Sequence, residues 1–383
     1  MPMLAFFPWL KLNKDDEIID LEKVKLVRFH RGKLPGKEKG QIQTICDKIF
    51  EPYIANIIKP NEDSPIELKS IDDSTILLLK DKDIFQDFDE DEKNYLFSIV
   101  EMISFSSISK REYFVGHLGF YCNRDDFTFI ILEFRDVSAG VQVTTRRRDG
   151  RTTNYISNDV YKVLMPRHVN YGFWPVKLDI PLINSLLIAQ ENLDDENLSL
   201  FADAIFLFNR ANTDSDQIAP HQEVVLSVSA FERLLNCNKG NEDDLVKKFL
   251  GIFNPEENLD VTQSIRVKGS KYENTNKTLR EIWMRDFFQL RGECAHGKRS
   301  SKRPTIWKTH EHLLLGSYVF PLVVKCKLKK GGFYELSEDD TFAIDVFERL
   351  ADADLFTNLN EWYNIISDLS FKYKLRKALT NGQ

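Results

Sequence analysis

The chain is short of the residues that make several functional classes easy to argue. Its five cysteines, Cys46, Cys122, Cys237, Cys294 and Cys326, are odd in number, scattered and never spaced C-x-x-C. That argues against a disulfide framework and a zinc knuckle, and makes reduced thiols in a cytoplasm the expected state. Long apolar runs are missing: "LLLGSYVFPLVV" carries Pro321 and stops well short of a membrane span. The opening "MPMLAFFPWLKLNKDDE" has neither a basic n-region nor a small-residue cleavage site, so no signal peptide is expected. A P-loop, a Gly-rich dinucleotide fingerprint and His-Glu-x-x-His are all absent, and no clustered carboxylate motif suggests a magnesium nuclease. His310 and His312 in "HEH" are two apart and diverge on a helix, which makes a poor metal site. No metal or cofactor is therefore expected. Positive charge is not in surplus either: 52 Lys and Arg against 59 Asp and Glu give a net charge of -7. A nucleic-acid coat is disfavoured, while a local basic groove remains open.

What is present is an ordinary globular balance, 42% hydrophobic and 29% charged, with 28 Phe to fill a core. At 383 residues the length suggests about two or three domains. Up to about Tyr113 the patterns are mixed. "DEIIDLEKVKLVRF" and "STILLLKD" read as strands. Ile42, Ile45, Ile49 and Tyr53 recur at helical spacing, and "DEDEKNYLFSIVEMISFSSI" reads as an acid-capped helix. From Phe114 to about Asp179 strands dominate, with "FTFIILEFRD" and a hairpin turning at Asp149-Gly150.

From about Asn192 the chain reads as helices. Leu198, Phe201, Ile205 and Phe208 form one apolar face, and Val224, Val228, Phe231 and Leu235 a second. "DDLVKKFLGIF" gives a short third helix. Trp283, Phe287, Leu290 and Cys294 line a fourth, and "THEHLLLGSYVFPLVVKCKL" gives a fifth, with a kink expected at Pro321. After Gly331-Gly332, "SEDDTFAIDVFERL" and "LNEWYNIISDLSFKYKLRKAL" read as two more. The expected fold is α+β: an N-terminal mixed α/β region with a β-rich second half (1–190), an all-helical bundle (191–330) and a helical C-terminal extension (331–383).

One stretch concentrates chemistry: "FFQLRGECAHGKRSSKR". Gly297 after His296 is a helix C-cap signal, so the helix is expected to end at His296. On an ideal helix Arg291 and His296 lie about 140° apart and converge only where the backbone opens. Cys294 falls on the apolar stripe, which assigns it to the core as a small hydrophobe. Lys298, Arg299, Lys302 and Arg303 follow, either a solvated loop or a surface for a phosphodiester backbone. A second basic group, Arg146, Arg147 and Arg148 with Arg151, marks the hairpin tip, either as a solvated face or as a contact for nucleic acid or an acidic partner.

"FFQLRGECAHGK" resembles the Arg-x4-His signature of HEPN domains, in particular the Apea-like HEPN group of bacterial proteins. "SVSAFERLLN", with the embedded acid Glu232, "DDLVKKFLGIF" and "HEHLLLGSYVFPLVV" resemble the family's accompanying helices. The resemblance covers about Asn192 to Lys330. One position departs: many active members carry Asn or Asp directly after the Arg, where this chain has Gly292. The resemblance implies a metal-independent endoribonuclease acting as a homodimer on RNA, tRNA among the candidates. His296 would be the general base or acid, Arg291 would hold the scissile phosphate, and Glu293 would orient one of them. It also implies a toxin of antiphage, abortive-infection defence, restrained until a phage-derived trigger or a regulatory protein acts. Two alternatives stand beside it. One is a HEPN-like module without chemistry, serving RNA binding or dimerisation. The other is an antitoxin-like partner whose basic loops dock on another protein.

Overall fold

A computed structural model describes residues 1–34, 40–57, 67–110, 124–137, 139–148, 150–161, 165–167, 176–213, 218–237, 240–255, 258–296 and 305–353. The fold is α+β. The chain divides into two units, Met1–Ile103 with Asp125–Ile180, and Ser104–Arg124 with Pro181–Gln383. The boundary thus falls ahead of the expected residue 191, and the residues after 331 belong to the second unit.

The first unit is built on a seven-stranded antiparallel sheet in the order β2-β3-β6-β1-β7-β8-β9. The strands are β1 (Met3–Phe7), β2 (Ile18–Asp20), β3 (Val24–His30), β6 (Asp73–Leu79), β7 (Ile130–Glu133), β8 (Gly140–Arg147) and β9 (Gly150–Ser157), the last followed by a one-turn helix, α3 (Asn158–Tyr161). A smaller sheet pairs β10 (Met165–Arg167) parallel to β4 (Tyr53–Ile57), which pairs antiparallel to β5 (Glu67–Ser70). The second half carries β7 to β10, and β1 to β6 precede residue 80. Tyr53 opens β4, so the helical spacing noted from Ile42 ends earlier, at α1 (Gln41–Phe50).

Alternation decides which side chains meet. Phe6 points to α1, with its ring 4.8 Å from Phe50, which stacks on Phe29 at 4.3 Å. Phe7, one residue on, takes the opposite face and meets Phe129 at 5.1 Å. Phe129 in turn meets Phe97 of α2 (Glu90–Ile108) at 5.3 Å. Apolar residues are thus needed at every position of β1, and all five are buried. The hairpin closes with Arg147 opposite Gly150, one step earlier than the expected turn.

The second unit is helical. It contains α4 (Ile180–Asn192), α5 (Asp195–Ala211), α6 (Pro220–Leu234), α7 (Glu242–Ile252), α8 (Leu279–Ala295), α9 (Thr309–Lys330) and α10 (Glu338–Asp352). Side-chain caps explain several starts: Asp194, Asn241 and Ser337 each accept a backbone N–H from the first turn. α6 packs on α5, α8 and α9. Trp283 of α8 is fully buried among Phe231, Phe249, Phe287 and Phe347. Burying such a ring removes about 200 Å² from water, an upper bound of about 5 kcal/mol. Pro321 lies buried inside α9, which runs through it to Lys330. The final expected helix, beyond residue 353, lies outside the described residues.

Candidate active site

α8 carries the motif. Trp283, Asp286, Phe287 and Leu290 share its buried stripe, spaced three, one and three. The stripe fades toward the helix end, where Arg291, Gly292, Glu293 and Cys294 are half-buried and Ala295 and His296 exposed. Cys294 is therefore not a core residue as its spacing suggested, because the helix emerges from the bundle before its final turn is covered. Burial, and then the charge of Glu293, still push the Cys294 thiol up, away from a nucleophilic thiolate.

His296 caps the helix, its backbone N–H reaching the carbonyls of Gly292 and Cys294. Its imidazole has no partner among the described residues. Arg291 is held differently. Its Nη2 donates to Glu232 Oε2 at 3.0 Å, with the side chains 25% and 13% exposed. Its guanidinium carbon stands 5.7 Å from the ring centre of Phe288. Arg291 Nε and Glu232 Oε1 are both buried without a hydrogen-bond partner, and so is Glu293 Oε2. Glu293 thus orients neither Arg291 nor His296 through a hydrogen bond among the described residues. Arg291, just ahead of the last turn of α8, lies toward the negative end of that helix dipole and is suited to it, whereas Glu232 near the end of α6 is not. Pairing the two resolves that mismatch.

Gly292 has room: a Cβ placed on it would meet nothing within 4 Å among the described residues. No described side chain therefore fills the helix surface between Arg291 and Glu293.

Lys298, Arg299, Lys302 and Arg303 lie outside the described residues, as does the expected cap at Gly297. Arg146 and Arg147 lie on β8, and Arg148 is exposed. Arg151 is engaged elsewhere, donating to Asn94 at 2.9 Å and stacking over Phe97 at 3.8 Å. The two basic groups belong to different units, and only the cations after His296 are close in sequence to the motif.

The "HEH" residues go to separate places. His310 is exposed. Glu311 is buried and pairs with Arg266 at 2.8 Å, and fully buried His312 reaches Asp286 at 3.1 Å. Among the described residues no group of three or more His, Cys, Asp or Glu is placed to hold a metal ion.

Asp286 was overlooked in the sequence. Its Oδ2 accepts the backbone N–H of Ile306 at 2.9 Å and of Trp307 at 3.2 Å, as well as meeting His312. His312 stacks on Phe287 with ring centres 4.9 Å apart. The start of α9 is thereby fastened to the middle of α8. The available signal was an acid on an apolar stripe, which needs a buried partner.

No family model, no curated protein and no solved structure matches this chain.

Proposed function

We propose that the chain is a metal-independent endoribonuclease of the HEPN kind, working as a homodimer in the cytoplasm. The observation that carries this reading is the end of α8. There a half-buried guanidinium is tied down by Glu232, while the residue that caps the same helix, His296, is exposed. Those are the two groups that RNA transesterification needs.

His296 takes the proton of a ribose 2′-hydroxyl. The 2′ oxygen then attacks the adjacent phosphorus as the bond to the 5′ oxygen breaks. The leaving oxygen is protonated by a second imidazole, supplied by the other copy of the motif. Arg291 donates to the phosphate oxygens as charge builds on them. The products are a 2′,3′-cyclic phosphate and a 5′-hydroxyl, and DNA is spared because it lacks the attacking group. The cations after His296 bind the flanking backbone, and the sheet-based unit senses a trigger or restrains cleavage. An effector of antiphage defence, held off until that trigger arrives, fits this division of labour.

A second reading draws on the same ion pair. Glu232 already offsets the charge of Arg291, and Gly292 replaces a polar neighbour, which suits an RNA-binding or dimerisation module without chemistry. Incubating the full chain with a panel of short RNAs in excess EDTA separates the two. Cleavage with cyclic-phosphate ends and a dimeric elution volume supports the enzyme. RNA retention without cleavage supports the module.

A further inference from the structure

The Arg291–Glu232 pair is half made. Arginine and carboxylate usually meet through two parallel hydrogen bonds. Here one is formed, Nη2 to Oε2, while Nε and Oε1 are buried and unpaired. Among the described residues the third nitrogen, Nη1, has no hydrogen-bond partner, and it is not one of the buried unpaired atoms. Glu232 therefore grips one corner of the guanidinium from the bundle side and leaves another corner open to solvent. Phe288 packs against the guanidinium as well.

We propose that Glu232 is a positioning residue: it tethers Arg291 through Nη2 so that Nη1 faces outward, beside Gly292, to receive a phosphodiester oxygen. The inference rests on the ribonuclease reading for its substrate, but the tether itself is a property of the ion pair. Arginine side chains lose much conformational freedom when fixed, so a tether already in place spares the bound complex that loss. Glu232 touches no substrate and acts only through Arg291. An amide at this position keeps the accepting oxygen, whereas truncation removes it.

The test uses the full chain, metal-free cleavage kinetics on a short RNA, and the Nε–H spectrum of 15N-arginine-labelled protein titrated with inorganic phosphate. Glu232→Gln is expected to keep kcat within about threefold of wild type. Glu232→Ala is expected to lower kcat about tenfold or more while KM moves much less, the pattern of lost positioning. In the spectrum, the Arg291 signal, identified by its loss in Arg291→Lys, is protected from exchange in wild type and Glu232→Gln and broadened in Glu232→Ala. Phosphate shifts it in the first two. Wild-type kcat in Glu232→Ala, or equal losses in both variants, overturns the proposal. Should Glu232→Ala not fold, Glu232→Gln decides alone: a lost or unprotected Arg291 signal overturns the tether. If the wild type cuts no RNA, the ribonuclease reading fails while the spectrum still decides the tether.

Discussion

Gly292→Ala is a sensitive probe of the motif helix. Glycine in a helix interior is worse than alanine by about 0.5–1 kcal/mol, because it loses more backbone freedom on folding. That gain is realised only if the new methyl meets no obstacle, and a Cβ at Gly292 has nothing within 4 Å among the described residues. The variant should therefore be more stable by about 0.5–1 kcal/mol, or about 1–4 °C in Tm for a unit of this size. Urea melts followed by tryptophan fluorescence, to which buried Trp283 and Trp307 of this unit contribute, read the change, and the slope of the transition should stay the same. Melts at two protein concentrations add information. A gain at low concentration that shrinks at high concentration means that a second copy packs over Gly292. Destabilisation at both concentrations refutes the reasoning, since it requires an obstacle within the chain itself.

Two other substitutions test the bundle. Asp286→Ala strands the backbone N–H groups of Ile306 and Trp307 and the buried His312. At about 1–3 kcal/mol for each orphaned group, it should cost about 3 kcal/mol or more, read as a lower urea midpoint; a loss under about 1 kcal/mol contradicts the anchor. Asp340 is buried, which opposes its charge. Lys325 Nζ at 2.6 Å, Ser337 and Tyr334 outweigh that and hold its carboxyl below the usual range. A carboxyl depressed in the folded state contributes stability above its unfolded value near pH 4 and loses it as pH falls through the folded value. Asp340→Asn should thus cost about 3–5 kcal/mol at pH 7, with the gap to wild type closing in acid below about pH 4. A gap that is independent of pH contradicts this account.

The helices most visible in the sequence were those with one apolar face. Phe201, Ile205 and Phe208 on α5, and Val224, Val228 and Phe231 on α6, alternate with polar residues and are all buried. β1 was harder to see, since "MLAFF" is apolar throughout. A central strand covered on both faces shows no alternation to distinguish it from any other apolar run. α4 escaped for the same reason, with Leu182, Ile183, Leu186 and Leu187 buried around much of its girth. At the candidate site the helix end at His296 was legible, because stripe and cap signals agree there. The partner of Arg291 was not. Glu232 lies 59 positions away in sequence, and only the packing of α6 on α8 brings the two together. The half-exposure of Cys294 was equally hidden, because spacing gives the direction of a side chain and not how far the bundle extends over it.

The central claim concerns two side chains, and one comparison tests it most directly. Purified wild type, His296→Ala and Arg291→Ala are assayed on the same RNA without metal, with circular dichroism confirming that each is folded. The account predicts 2′,3′-cyclic phosphate products from wild type and a loss of at least about a hundredfold in rate for each variant. Cleavage by folded His296→Ala at the wild-type rate would contradict it.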